Sequence, residues 1–339
     1  MNGSNRARHS GYSPMNFLII RFSSLGDVVM ATAVVEALHR SLPGARIDFM
    51  TKSVYAGVFE DDPRIGRVWE YEGRLTPFRL AAIISQESYD VVVDLHASLR
   101  SMVVSWLLDV PEKRRIDKHS LARRLMILSR NKYRRSFDVI GSYLDTVRQY
   151  AGGERVLPVL CPTKRGLEQI ETLLAGAGET VGFAPGARHR TKQWNENYVA
   201  CVADEMARRG ETPVFIGDAG DVAVVDRIRG MMKEQSLNLT AQLDIPTTVA
   251  AVSRFEALVT IDTGPMHIAG ALGIPFVAVF GPTHPDLGFV PGYETGKILH
   301  AGTPCSPCSV HGEKPCRFDR RECMDDIVPS CVVDTLLNL

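Results

Sequence analysis

One feature constrains this chain more than any other: short apolar runs alternate with helical stretches, and the alternation occurs twice. Phe17-Leu-Ile-Ile-Arg-Phe22 has the length and character of a buried strand. The stretch from Val28 to Leu42 predicts a helix, ended by Pro43-Gly44. Strands are expected at 46–50 and 90–95, with a helix from Ser98 to Leu108 after the second. Near residue 180 the pattern restarts, with strands expected at 180–184, 213–217, 255–261 and 275–280. Helices are expected between them at 195–209, 222–232 and 265–272. Apolar strands separated by helices imply parallel sheets covered on both faces. The expected class is therefore α/β, with two doubly wound halves joined by the Gly- and Pro-containing stretch 151–165.

The length of 339 residues agrees with two domains. With 39 basic and 39 acidic residues the formal net charge is zero, which excludes a chain coated in positive charge, and no nucleic-acid partner is expected. No apolar run approaches the ~18 residues of a membrane span. Residues 1–14 are polar and lack the apolar core of a secretory signal, so a disordered leader is expected. Seven cysteines, an odd number, suit a reduced cytoplasmic setting.

In doubly wound sheets ligands sit at the carboxyl ends of the strands, so the loops there hold the candidate residues. Thr260-Ile-Asp-Thr-Gly-Pro-Met-His267 runs from a strand into a helix, with Thr263 or Gly264 as N-cap and Pro265 at the first helical position. Free N–H groups at such a start form an anion site, and His267 in the first turn can donate to a phosphate. Local hydrogen bonding of Asp262 and His267 accounts equally well for the motif. The loop 185–194 carries Arg188, Arg190 and Lys192 ahead of Trp194, suited either to a phosphate or to solvent. Gly217-Asp-Ala-Gly-Asp221 offers a carboxylate to a ribose, or merely caps the next helix. In the first half, Ser23-Ser-Leu-Gly-Asp27 is neither a dinucleotide fingerprint nor a Walker A loop. Asp27 reads as a helix cap or as a general base for a substrate hydroxyl.

Residues 112–137 hold ten Lys or Arg against two acids, a basic segment suited to an anionic substrate or membrane surface, or to a solvated helix face. Cys305, Cys308, Cys316 and Cys323 are compatible with a structural zinc site, although the spacing matches no standard finger, or with reduced free thiols.

Taken together, Ile20-Arg-Phe-Ser-Ser-Leu-Gly-Asp-Val28, Asp94-Leu-His-Ala-Ser-Leu-Arg-Ser101, Pro185-Gly-Ala with Lys192-Gln-Trp194, Phe215-Ile-Gly-Asp-Ala-Gly-Asp221, Asp262-Thr-Gly-Pro-Met-His267 and Phe280-Gly-Pro-Thr283 resemble the family 9 glycosyltransferases, the ADP-heptose:lipopolysaccharide heptosyltransferases. The resemblance covers the chain from about Phe17 onward. It implies a GT-B architecture, two Rossmann-like domains with parallel sheets facing a central cleft. Residues 15–155 would bind the acceptor, and 156–339 the nucleotide sugar, with the cysteine segment at 301–325. It implies inverting heptose transfer from ADP-heptose to the inner core of lipopolysaccharide or to a lipid A-Kdo acceptor, with no required cofactor. Asp27 would be the general base and Lys192 would neutralise the leaving phosphate. Gly186, Arg188, Asp221, Asp262, Thr263, Gly264, Met266 and His267 would complete the donor site. Ser24, His96, Arg100, Arg123 and Arg124 would face the acceptor. The expected location is the cytoplasm, with peripheral contact at the anionic inner-membrane face. Two other readings stay open: a related transferase using another nucleotide sugar, and a sugar-nucleotide epimerase.

Overall fold

The strands that read as apolar runs in the sequence form the centres of two parallel sheets. The computed structural model describes residues 15–73, 75–129 and 135–339; the expected leader and residues 130–134 of the basic segment lie outside them. The first sheet contains β1 (Asn16–Ile20), β2 (Arg46–Lys52), β3 (Arg67–Tyr71), β4 (Val91–Asp94) and β5 (Glu112–Arg115), in the order β3-β2-β1-β4-β5. The second contains β6 (Thr180–Ala184), β7 (Thr212–Phe215), β8 (Leu237–Asn238), β9 (Ala257–Ile261), β10 (Phe276–Phe280) and β11 (Gly296–His300), in the order β11-β10-β9-β6-β7-β8. Every pairing is parallel. Counted from its own first strand, each sheet has the doubly wound order, reversing beside β1 in one and β6 in the other. Those reversals open the crevices where the candidate loops lie. The fold is thus GT-B, as expected.

Central strands are buried along their whole length: β6, β9 and β10 have no exposed residue, and β4 is Val-Val-Val-Asp with all four buried. The edge strand β5, Glu-Lys-Arg-Arg, is charged at every position, which an edge tolerates and a centre does not. Its polarity hides it from a search for apolar runs.

The two sheets share one apolar seam rather than standing apart. A single core cluster takes in Phe17, Val29 and Phe49 from the first half and Met266, Ile268 and Phe276 from the second. At its heart the helices Leu25–Ser41 and Gly264–Leu272 pack with their N-terminal turns together, and each supplies a glycine to the other. A Cβ on Gly26 would lie 2.6 Å from His267 Cδ2, and one on Gly264 would lie 2.8 Å from Leu25 Cδ2. The first of these helices starts at Leu25, three residues before the expected Val28, because Ser24 and Asp27 cap it there. The chain crosses between halves through 152–163, where the Val159 N–H donates to Thr32 Oγ1 and the Leu160 N–H to the Ala271 carbonyl. The C-terminal Pro329–Leu336 helix returns to pack on the Glu196–Arg208 helix of the second half. Among the described residues no helix is long and apolar enough to cross a membrane.

Candidate active site

Asp27 is the third residue of its helix, and its two carboxylate oxygens have different surroundings. Oδ2 accepts from the Ser24 N–H at 3.0 Å and from Ser24 Oγ at 2.8 Å, and it pairs with Arg21 Nη2 at 2.8 Å. Arg21 is itself fixed by donating from Nη1 to the Leu95 carbonyl at 2.6 Å. Among the described residues Oδ1 has only a long contact, 3.5 Å, from Tyr143 Oη. One oxygen is therefore held by the helix cap and the arginine, while the other remains able to accept from a substrate. Burial works to raise the Asp27 pKa, but the Arg21 charge and the Ser24 hydrogen bonds outweigh it and bring it down to about 2. The carboxylate is ionised at any ordinary working pH.

Asp27 faces a cavity of about 530 Å³. Its walls include Arg21, Lys118, Arg123, Arg124 and Tyr143 from the first half, and His311 and Lys314 from the second. Arg123 is buried, held between the rings of Phe137 and Phe289, and donates to the Lys118 carbonyl at 2.8 Å. Arg124 is exposed. Of the other expected acceptor residues, Ser24 caps the Asp27 helix. His96 is half-buried against Phe22, with burial pulling its pKa down to about 3, and the exposed Arg100 lies over the Tyr71 ring. Asp94 positions this loop, its Oδ1 accepting from the His96 and Ala97 N–H groups.

In the second half, Lys192 Nζ pairs with Asp262 Oδ2 at 2.8 Å, and Thr283 Oγ1 donates to the same oxygen at 2.7 Å. Burial opposes the charge on Asp262, yet Lys192 and Thr283 leave its pKa lowered. The ammonium is thereby kept beside the start of the Gly264–Leu272 helix. Thr263 occupies the N-cap position without a side-chain cap; its Oγ1 donates to the Ile261 carbonyl at 3.4 Å instead. The first N–H groups of the helix are left for another acceptor. His267 is buried and its Nδ1 has no partner among the described residues. Burial lowers its pKa to about 4, against the pull of Asp262 and Asp27 in the other direction, so the ring is neutral. The electrostatic neighbours of His267 and of His311 both include Asp27, Asp262 and Lys192, so one cleft unites the two halves of the site.

Some expected residues have other jobs. Met266 is fully buried in the shared core, because at this point the helix turns that side toward the apolar seam. Its side chain packs in that core. Gly186 is required by Asp221: a Cβ there would lie 2.0 Å from the Asp221 carboxyl carbon. Asp221 Oδ2 accepts from the Asp218 N–H at 3.1 Å, and burial pushes its pKa up. Arg188 is exposed, with its charge felt by Tyr55 across the cleft.

The four clustered cysteines line a second cavity of about 430 Å³, beside Thr191. A zinc tetrahedron needs sulfurs at about 2.3 Å from a common point. Among the described residues no three His, Cys, Asp or Glu are so grouped; all seven cysteines are free thiols, and Cys308 Sγ donates to the Cys305 carbonyl at 3.2 Å. The four thiols are nevertheless close neighbours: burial first, and then Cys305 and Cys316, push the Cys308 pKa up to about 11, and Cys323 is raised in the same way by burial and by the other three. The segment does brace the Lys192 loop. Thr191 Oγ1 donates to the Gly312 carbonyl, Gly312 packs on the Lys192 stem, and Arg321 Nη1 donates to the carbonyls of Arg190 and Gln193.

Sequence reasoning passed over Arg21, Lys118, Tyr143 and His311. Arg21 carried a signal, since it adjoins the Ser-Ser-Leu-Gly-Asp loop. Tyr143 and His311 come from distant segments and carried none.

The family model for Glycosyltransferase family 9 (heptosyltransferase) matches residues 78–318. The chain belongs to glycosyltransferase family 9. Lys192, Asp262 and His267 lie within the matched residues, and Asp27 precedes them. The chain is 28% identical over 302 residues to lipooligosaccharide heptosyltransferase 2 of Haemophilus influenzae, covering 80% of this chain and 85% of that protein. In fold it is similar to Escherichia coli ADP-heptose LPS heptosyltransferase II, with TM-score 0.76 and 22% identity over 96% of this chain and 98% of that one. It is also similar to E. coli heptosyltransferase WaaC with ADP, with TM-score 0.71 and 16% identity over 96% and 99%. As a family 9 glycosyltransferase the protein is an enzyme of glycosyl transfer.

Proposed function

We propose that this glycosyltransferase moves a heptose from ADP-heptose to the inner core of lipopolysaccharide with inversion at the anomeric carbon. The observation that carries this reading is the split role of Asp27: one oxygen tied to Arg21 and Ser24, the other open in a cavity rich in cations. The neighbour solved with ADP and the relatives named as heptosyltransferases support the choice of donor and acceptor. Residues 15–155 bind the acceptor and 156–339 the donor in this reading.

The acceptor hydroxyl attacks the anomeric carbon while the bond from that carbon to the diphosphate oxygen breaks. The hydroxyl proton passes to Asp27 Oδ1 as the new bond forms. A carboxylate with its pKa held near 2 is a weak base, and it takes the proton only as the attacking oxygen becomes acidic in the transition state. Negative charge growing on the leaving diphosphate meets Lys192 and the free N–H groups at the Gly264 helix start. Asp262 keeps Lys192 in place beforehand. Asp221 suits the ribose hydroxyls, as a carboxylate that can accept from both. Lys118, Arg123 and Arg124 suit the anionic groups of the acceptor.

The test is ADP release from ADP-heptose in the presence and absence of a heptose-deficient lipopolysaccharide core. The reading expects release that depends on the acceptor. Turnover of the donor alone would favour an epimerase, and no turnover would remove this donor–acceptor pair.

A further inference from the structure

The cavity that holds Asp27 has a wall from the second half of the chain, and the donor reading gives that wall no task. His311, Glu313 and Lys314 line it together with Lys118, Arg123 and Arg124 of the first half. Among the described residues Lys192, Asp221 and Asp262 do not line this cavity, so a ligand filling it meets the wall without displacing the donor groups. The segment is fixed in place. The Gly312 N–H donates to the buried Ser309 Oγ at 2.8 Å, and the Gly312 carbonyl accepts from Thr191 Oγ1. Gly312 has φ +83°, and a Cβ there would lie 2.6 Å from Lys192 Cγ, so glycine lets the segment sit on the lysine stem. The acid of the segment is already engaged: Glu313 Oε2 accepts from the His311 N–H at 3.0 Å. Lys314 is thus the cation that the segment presents to the cavity. The half-buried His311 ring lies against Phe289, with ring centroids 5.9 Å apart, and Arg123 lies over the same Phe289 ring at 5.2 Å. One aromatic ring therefore ties the His311 wall to the Arg123 wall. Burial lowers the His311 pKa against the pull of Asp27 and Glu313, so the imidazole is neutral near pH 7 and suited to a hydroxyl.

We propose that residues 309–314 form an oxyanion-binding subsite for the acceptor on the second half of the chain. In it Lys314 pairs with a carboxylate or phosphate of the acceptor, and His311 hydrogen-bonds an acceptor hydroxyl in the Asp27 cavity. The subsite rests on the acceptor reading above and extends it, because there the acceptor is bound by residues 15–155 alone. An acceptor held by Lys118, Arg123 and Arg124 on one side and by Lys314 on the other bridges the two halves. Bridging fixes its attacking hydroxyl relative to Asp27 Oδ1 before transfer begins.

The experiment is calorimetric binding of a deacylated, heptose-deficient lipopolysaccharide core to the full chain without donor, with ADP binding measured beside it. Lys314→Ala is expected to weaken the core by about tenfold or more, and Lys314→Arg to stay within about threefold of wild type. The Kd for ADP should stay within about twofold in both, which also shows that the variants are folded. His311→Gln should keep core binding that His311→Leu loses. The core is then used after phosphatase treatment and, separately, after reduction of its carboxyl groups. The treatment that removes the difference between wild type and Lys314→Ala names the anion. The subsite is overturned if Lys314→Ala binds the intact core as wild type does, or if neither treatment narrows the difference. It is also overturned if Lys314→Ala weakens ADP and leaves the core alone, which would assign the segment to the donor. In those cases wild-type binding and transfer to the core remain, and the function proposed above stands. A wild-type chain that neither binds the core nor releases ADP with it overturns both.

Discussion

Asp27 carries a structural and a chemical role on separate oxygens, and Lys192 shares its charge with Asp262 in a comparable way. Removing the lysine alone leaves the mostly buried Asp262 carboxylate without its cation. Lys192→Ala is therefore expected to lower Tm and to slow transfer by about 10²–10³-fold, the loss typical when a stabilising group for a developing anion is removed. Adding Asp262→Asn should restore most of the Tm and little of the rate. If the double variant regained both, Lys192 would be a structural cation only. A rate unchanged at saturating donor in Lys192→Ala would likewise remove its part in leaving-group departure.

At the scale of elements, the paired helix starts are the feature that joins the halves. Gly26 sits where a methyl group would strike the His267 ring, so Gly26→Ala must push the two helices apart. We expect a loss of about 1–3 kcal/mol in urea unfolding, with weaker donor binding because the Gly264 helix start shifts. Gly230→Ala serves as the contrast: the added methyl meets nothing within 4 Å, and the better helix former should stabilise by up to about 1 kcal/mol. Central strands such as β1, β4 and β10 were legible because burial on both faces writes itself as an apolar run. The edge strand β5 and the helix Ser120–Leu128 were not, since β5 is charged at every position and the helix mixes charge with apolar residues according to neighbours that the sequence alone does not reveal. The same holds in the site. The Asp27 and Asp262 loops announce themselves by capping signals after strands, whereas Tyr143 and His311 reach the cleft only through tertiary packing, and the burial of the Met266 side chain in the shared core could not be read from its motif.

Across the whole molecule, acid should loosen the cleft before it affects Asp27. His267 is neutral because burial draws its pKa from 6.5 to about 4, so the unfolded chain takes up a proton first as pH falls. The stability this ring contributes is complete above pH 6.5 and is lost progressively toward pH 4, by at most about 1.4 kcal/mol per pH unit. The contribution of ionised Asp27 is present above its ordinary 3.8 and is lost only as pH falls toward 2. Urea midpoints measured from pH 7 to pH 4 should fall in the wild type and fall less steeply in His267→Asn, the slope that remains coming from His96 and His311, which are also held below their ordinary value; identical slopes would contradict a neutral buried imidazole. The most direct test of the account concerns the open oxygen of Asp27. The rate of ADP release from ADP-heptose with a heptose-deficient core should drop by about 10²–10⁴-fold in Asp27→Asn while the Kd for ADP stays within about twofold. An Asp27→Asn enzyme that transfers at the wild-type rate would contradict Asp27 as the base.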